Sequence, residues 1–138
     1  MKKFTVILSL LLAVSLFASC SGVNTETDEI KASISIYVED EDRFILEEAE
    51  ITAKDGTTVF DVLKDVTKEN KIHMDFEETA MSSYVKGIDN LYTFDKGELS
   101  GWLFYVNGES ATQGADATEV NDGDEIEWIF VTDFTKTE

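Results

Sequence analysis

The chain has 138 residues, of which 43% are hydrophobic and 11% aromatic, and its formal net charge at pH 7 is -18. This length suits one folded domain, and the apolar fraction is sufficient for an ordinary hydrophobic core. The strongly negative charge argues against binding to nucleic acid and against electrostatic binding to anionic lipid head groups.

The first 19 residues have the order of an export signal. Two lysines near the start are followed by an uncharged apolar run over residues 5–17 and by two small residues before Cys20. The apolar run is shorter than the roughly 20 residues that usually span a bilayer. We therefore predict that residues 1–19 are a signal peptide and that cleavage precedes Cys20.

Residues 16–20, Leu-Phe-Ala-Ser-Cys, resemble the lipobox of bacterial lipoproteins, although Phe17 stands where leucine is more usual. The resemblance implies that Cys20 carries lipid and anchors an extracytoplasmic chain to the outer surface of the cell membrane. Cys20 is the single cysteine of the sequence, and a thioether to lipid removes a thiol that would otherwise be exposed to oxidation. The alternative is an ordinary signal peptide cleaved near Ala18, which leaves the Cys20 thiol free.

A flexible tether and a hairpin are predicted next. Residues 20–31 form the lipidated cysteine and a polar tether, and the folded domain is expected over residues 32–138. Polar and apolar residues alternate over 33–38, which predicts a half-buried strand. Residues 45–53 predict its partner across the charged turn at residues 39–42.

One helix is predicted in the mature chain. Asp55 and Gly56 mark a turn, and Thr57 or Thr58 can cap a helix after it. Apolar residues then recur at helical spacing, at Val59, Val62, Leu63 and Val66. A single apolar stripe indicates that the helix packs on one face of a sheet.

The remaining segments are predicted to be extended. Residues 72–76 and 84–88 are short strand-like pieces, and Gly101–Val106 is a stronger strand that ends in the hairpin signal Asn107-Gly108. Residues 125–131 predict a final strand. The order of elements predicts an α+β domain with a mixed sheet and one main helix packed on one face.

Three segments together resemble the transcobalamin-like C-terminal domain. They are Ser-Gly-Trp-Leu-Phe-Tyr-Val-Asn-Gly at residues 100–108, Gln-Gly-Ala at 113–115, and Asn-Asp-Gly-Asp-Glu-Ile-Glu-Trp at 121–128. That domain is the β-rich half of the cobalamin carriers, and it also occurs alone in bacterial surface lipoproteins. The resemblance covers about residues 32–132 and implies a β-grasp-like fold.

The resemblance also implies a ligand and a site. In the carriers, the β-rich half forms one wall of a cleft over the corrin ring, and the start of the strand at the tryptophan faces the ligand. This maps onto Trp102, Leu103 and Phe104. The carriers place a polar amide side chain after the tryptophan, whereas this sequence has Leu103, so a hydrogen bond to the corrin periphery would be missing.

The aromatic pattern adds to the candidate site. Trp102 and Phe104 share one face of their strand, and Leu103 and Tyr105 share the other. Because one helix covers only one sheet face, we expect some aromatic surface to stay open for binding; the alternative is that all of these rings are core. The polarity of three further residues and the family pattern suggest that they border the surface: Tyr84, Tyr92 and Gln113.

Catalytic and metal chemistry are not indicated. His73 is the single histidine and lies in an alternating run, so we interpret it as an exposed strand residue. Without a credible catalytic set, no enzyme activity and no catalytic residues are expected. The acidic clusters lack the spaced ligands of a calcium loop and are interpreted as solvated, so neither a metal nor a resident cofactor is expected, with a weak calcium site near Asp122 as the alternative.

Two functions remain open. The first is a lipid-anchored cell-surface binding module that captures a ring-rich small ligand such as cobalamin or another corrinoid. The alternative is a protein-interaction domain of a surface uptake or cell-wall assembly, which binds a partner protein and has no small ligand of its own.

Replacing Cys20 tests the predicted anchor. Cys20→Ala should release the chain from the membrane fraction, because the lipid is the only stable anchor predicted and no basic segment could substitute for it. Ser21→Ala, which leaves the cysteine in place, should stay with the membranes. Unmodified Cys20, found by mass spectrometry in a chain that still sediments with membranes, would contradict the lipobox assignment.

Overall fold

The computed structural model describes residues 28–136, so the predicted signal peptide, Cys20 and most of the predicted tether lie outside the described residues. Within this range the fold is α+β, with eight strands in two sheets and one α-helix, which confirms the predicted class. No helix of the described range combines the length and apolar composition needed to cross a membrane. The elements are β1 (Glu29–Val38), β2 (Arg43–Lys54), α1 (Val59–Glu69), β3 (Met74–Glu78), β4 (Ser83–Ile88), β5 (Leu91–Tyr92), β6 (Gly101–Val106), β7 (Glu109–Ser110) and β8 (Glu125–Val131).

The larger sheet has the strand order β2-β1-β8-β6-β7 and is mixed. β1 runs antiparallel to β2 and parallel to β8, and β8 runs antiparallel to β6. β1 begins earlier than the predicted strand at residues 33–38, because Ile30 and Ala32 continue the alternation and are buried. The side chains that alternate with them, such as Ser33 and Ser35, face away from the core.

Helix α1 begins where the sequence predicts. The Asp61 N–H donates to the Thr58 hydroxyl over 3.2 Å and the Thr58 N–H donates to the Asp61 carboxylate over 3.3 Å, which forms a capping box. All four predicted stripe positions are buried, together with Phe60. The stripe joins one hydrophobic core with Ile34, Ile36, Ile126 and Trp128 from the larger sheet.

The short extended segments form a second sheet, rather than joining the single mixed sheet that was predicted. β3, β4 and β5 pair antiparallel in that order. β3 starts only at Met74 because Lys71 has a positive φ of 57° and the Ile72 N–H donates to the Thr67 carbonyl, so this segment closes the end of α1. The Phe76 ring meets the Phe60 ring edge to face at 5.4 Å.

Helix α1 and the small sheet therefore cover the same face of the larger sheet. Val85 and Ile88 of β4 belong to the same hydrophobic core as the α1 stripe. No described element covers the opposite face of the larger sheet, which we call the open face. Its side chains come from the outward positions of the strands, including Ser35, Tyr37, Leu103, Tyr105 and Ile129.

Strands β6 and β8 have the predicted bounds, and the predicted hairpin turn after β6 is confirmed. Asn107 and Gly108 both have positive φ, 54° and 77°, as a two-residue turn of this kind requires. The Asn107 side chain donates to the Asp124 carboxylate over 2.8 Å, and the Glu125 N–H donates to the Asn107 side chain over 2.9 Å. The turn is thereby fixed to the start of β8.

Leu63 tests the packing of α1. Leu63 is fully buried, so Leu63→Ala should lower the free energy of unfolding by about 2–5 kcal/mol through lost burial and an unfilled cavity. The neighbouring exposed Asp65→Ala should change it by less than about 0.5 kcal/mol. Chemical denaturation measures both, and an unchanged midpoint for Leu63→Ala would contradict the described register of α1.

Candidate functional site

The candidate site lies along the outer edge of β6. β7 pairs with β6 only at Tyr105 and Val106, so within the described part of the chain the segment from Gly101 to Phe104 has a sheet neighbour on one side only, namely β8. We call this segment and the rings on it the β6 edge.

The hydrogen bonds around β6 show which way its backbone groups point. The Asn107 N–H donates to the Glu125 carbonyl on the β8 side over 2.8 Å, whereas the Phe104 carbonyl accepts from Ala111 on the other side over 3.5 Å. Alternate residues of a strand point their N–H and C=O groups to the same side, so Trp102 and Phe104 both point away from β8. Among residues 28–136, no hydrogen bond joins the Trp102 N–H, the Trp102 C=O or the Phe104 N–H to another residue.

Two aromatic rings flank these free backbone groups. The half-buried Trp102 indole packs edge to face on Phe130 at 5.3 Å, and its Nε1–H donates to the Leu91 carbonyl over 2.8 Å. The half-buried Phe104 ring lies 5.1 Å from the Trp128 ring. Both rings face the core side of the larger sheet and are partly open at its rim. The arrangement combines apolar surface with backbone donors and an acceptor.

The loop before β6 is also held in place. Lys96 Nζ lies 2.7 Å from the Asp40 carboxylate and 2.6 Å from the Glu41 carboxylate in the turn between β1 and β2. Hydrogen bonds to Asp40 and Glu41 raise the pKa of Lys96 above its ordinary value. The Phe94 N–H donates to the Ser100 carbonyl over 3.0 Å, so the free part of the β6 edge begins only after this bond.

Leu103 and Tyr105 lie on the open face, away from Trp102 and Phe104. Leu103 pairs with Ile129, Ile129 with Tyr37, and Tyr37 with Phe44, so four side chains form a row across four strands. The Tyr37 and Phe44 rings are 4.8 Å apart, and Phe44 is 52% exposed. The four strand residues of the predicted site are thus divided between two faces of the sheet.

The three bordering residues lie on either side of the β6 edge. Tyr84 of β4 is exposed, and its hydroxyl lies 3.3 Å from the Thr93 hydroxyl. The Tyr92 ring packs so closely on Gly87 that a Cβ added there would come within 2.6 Å of it. Both belong to the small sheet, beyond Trp102.

Gln113 lies at the other end of the β6 edge, in the loop between β7 and β8. It is exposed and, with Val106, lines an open groove of about 590 Å³. This loop is attached to the rest of the domain, because the Ser83 N–H donates to the Asp116 carboxylate and the Phe60 N–H to the Ala115 carbonyl.

Two features of the site were missed from the sequence. One is the set of free backbone groups at Trp102 and Phe104, which exists because β7 is only two residues long. The other is the contribution of Tyr37 and Phe44 to the open-face row, which depends on the pairing of β1 with β8. The only sequence signal for this row was the polar-apolar alternation of β1, which places Tyr37 opposite the core.

Asp122, Asp124 and His73, which lie in the segments considered for metal binding or catalysis, have structural partners. Asp122 accepts a hydrogen bond from the Lys31 N–H, and Asp124 accepts bonds from the Asn121 N–H and the Asn107 amide. Burial alone would raise the pKa of Asp124, but these bonds outweigh it and hold the pKa below its usual value. His73 is exposed, just before β3, with Nε2 3.4 Å from the Tyr92 hydroxyl. In the described range, no three His, Cys, Asp or Glu residues are grouped to hold a metal ion.

Comparison with known proteins gives a family and a fold. The model of a family described as "Domain of unknown function (DUF4430)" matches residues 56–132, more than half of the chain. No curated protein matches the sequence.

Among solved structures, haptocorrin in complex with Cbi aligns with a TM-score of 0.65 and 21% identity over 78% of this chain. This alignment covers 26% of the haptocorrin chain, so the present chain spans about a quarter of that protein. A protein from Ruminococcus gnavus ATCC 29149, described as a candidate metal-binding protein, aligns with a TM-score of 0.50 and 19% identity over 74% of this chain and 96% of its own. At these identities the likeness concerns the fold, and it supports the transcobalamin-like fold that the sequence resemblance implied.

The two tryptophans should differ in their contribution to stability. Trp128 is 3% exposed, so Trp128→Ala should lower the free energy of unfolding by about 3–5 kcal/mol. Trp102→Ala should cost clearly less, because its ring is already half-exposed, although the hydrogen bond to Leu91 is lost. Thermal and chemical denaturation compare the two variants, and equal losses would place Trp102 in the core.

Proposed function

This chain belongs to the DUF4430 family, and we propose that it is a non-enzymatic, lipid-anchored binding module that captures a ring-rich small ligand, with a corrinoid as the leading candidate. The observation that carries the proposal is the β6 edge, where free backbone groups lie between the rings of Trp102 and Phe104.

The chemistry of the β6 edge suits such a ligand. A buried polar backbone group without a partner is costly, so the free groups of Trp102 and Phe104 need water or a ligand. Two N–H donors and one carbonyl acceptor can bind the amide groups on the periphery of a corrinoid, and the aromatic rings supply apolar contact for its planar macrocycle. Backbone groups could thereby replace the amide side chain that Leu103 lacks.

The position of the β6 edge within the domain favours capture from outside the cell. The chain enters the described fold at Glu29, at one end of β1, whereas Val38 at the other end pairs with Phe130, which pairs with Trp102. Nine steps of about 3.3 Å along the strand separate Glu29 from Val38 by roughly 30 Å. A lipid on Cys20 would therefore hold the entry end near the membrane and leave Trp102 away from it.

The fold of haptocorrin supports the choice of ligand, since that protein was solved in complex with Cbi. This chain corresponds to only a quarter of it and offers a single wall. We therefore expect weaker binding than a two-walled cleft provides, unless a partner completes the cleft.

A second candidate function rests on the open-face row. Leu103, Ile129, Tyr37 and Phe44 form an apolar strip that no described element covers, and such a strip can dock a partner protein. In that reading, the domain belongs to a surface uptake or cell-wall assembly.

Titration of cobalamin and cobinamide into the full chain, followed by corrin absorbance and calorimetry, distinguishes the two. Saturable binding is expected below about 1 mM, and Trp102→Ala should weaken it by about 30-fold, the effect of an aromatic hot spot worth about 2 kcal/mol. Phe44→Ala, an aromatic truncation on the open face, is the matched control and should leave it unchanged. A flat response with both corrinoids would favour the protein-interaction module, and equal losses in the two variants would count against the β6 edge as the binding site.

A further inference from the structure

The opposite edge of the larger sheet is formed by β2, which has twelve residues and no sheet neighbour on its outer side within the described range. The Ser33 N–H donates to the Asp124 carbonyl over 2.9 Å on the β8 side of β1. Ala32 and Ile34 therefore point their backbone groups at β2, where they meet Ile51 and Ala49.

The intervening residues of β2 must then point outward. Glu50 and Thr52 direct their N–H and C=O groups away from β1, and no hydrogen bond from these groups to another described residue is present. Two donors and two acceptors thus form a regular row. Such a row is the template to which an extended peptide can add as a further strand.

A groove runs beside this row, between β2 and α1, with a volume of about 410 Å³. Its apolar floor suits the side chains that an added strand would direct toward α1. Val62 and Val66 are one helical turn apart, about 5–6 Å, and alternate residues of a strand are about 6–7 Å apart, so two successive inward side chains could each meet one valine. The floor is formed by Ile51, Ala53, Val62 and Val66, and the walls include Glu50, Lys54, Asp65 and Glu69.

The acidic side chains beside the groove indicate that a bound segment would carry basic residues. Glu48 and Glu50 are exposed on the side of β2 that faces away from α1, and among the ion pairs of residues 28–136 none involves either of them. Every second side chain of an added strand would lie on the same face as these two carboxylates, so lysine or arginine at those positions would find them unpaired. A second copy of this chain fits poorly, because pairing β2 with β2 would bring together the exposed Glu47, Glu48 and Glu50 of both copies.

We propose that the groove between β2 and α1 binds an extended segment of a partner protein in which apolar and basic residues alternate. The segment adds to β2 as an extra antiparallel strand through Glu50 and Thr52, with its apolar side chains on Val62 and Val66 and its basic side chains beside Glu48 and Glu50. This surface is at the opposite edge of the sheet from Trp102, so it does not depend on the proposed corrinoid site.

The probe is a synthetic peptide, Lys-Val-Lys-Val-Lys-Val-Lys with blocked ends, titrated into the full chain and followed by calorimetry and amide NMR shifts. Shifts should concentrate at Glu50, Thr52 and the α1 side of the groove. In an antiparallel pair the hydrogen-bonded residues share a face, so the lysine amides of a peptide that runs antiparallel to β2 would donate to β2 and the valine amides would not. N-methylation of the lysine amides should weaken binding at least tenfold, whereas N-methylation of the valine amides should have little effect. A peptide with glutamate in place of lysine should not bind.

Variants of the chain give the reciprocal test. Thr52→Pro removes one outward N–H without removing a bond to β1, and it should weaken the peptide at least tenfold; Thr52→Val keeps the N–H and should bind as the parent does. If Thr52→Pro melts early, the pair Glu48→Lys and Glu50→Lys, which changes exposed side chains and keeps every backbone group of β2, should weaken the peptide by a similar factor. Equal effects of the two methylation patterns, equal binding of the acidic peptide, shifts centred on Leu103 and Ile129 of the open face, or no binding at about 1 mM would overturn the proposal.

Discussion

The parallel pairing of β1 with β8 brings the first and last described strands together, and the rest of the structure is arranged around it. Ile34 and Ile36 of β1 lie beside Ile126 and Trp128 of β8, and all four are buried in the same core. Because a parallel pair cannot be closed by a short turn, a long connection must join the two strands, and the helix, the small sheet and β6 all lie within it. The α1 stripe and β4 can then pack on one common face.

This arrangement places β2 at one edge of the larger sheet and the short β7 at the other, where β6 is left uncovered from Gly101 to Phe104, and the two edges differ in chemistry. The β6 edge carries Trp102 and Phe104 and no charged side chain, so it is suited to an apolar ligand with amide groups. The β2 edge carries Glu47, Glu48 and Glu50, which discourage pairing between copies and favour a basic segment. Charge, rather than shape alone, therefore separates the ligands that the two edges can select.

Sequence reasoning was most accurate where the determinants are local. The start of α1 follows from Thr58 and Asp61, and the end of β6 follows from the Asn107-Gly108 pair. Both residues of this pair have the positive φ values that the turn requires. The separate small sheet was missed because it depends on how the chain leaves α1 at Lys71. The alternation of side chains along β6 predicted that the site residues would be divided between two faces of the sheet. The free backbone groups of β6 were not predicted, because they depend on the length of β7.

The position of the core on one side of the larger sheet explains how a strongly acidic domain can remain folded while keeping open binding surfaces. Within residues 28–136, the ion pairs lie at the surface and contribute little individually, so the core of α1, β1, β4 and β8 must supply most of the stability. That core is complete on one side of the sheet without help from Leu103, Tyr105 or the outward groups of β2. These residues are therefore free to be used for binding, because a change in their partners does not require the core to repack.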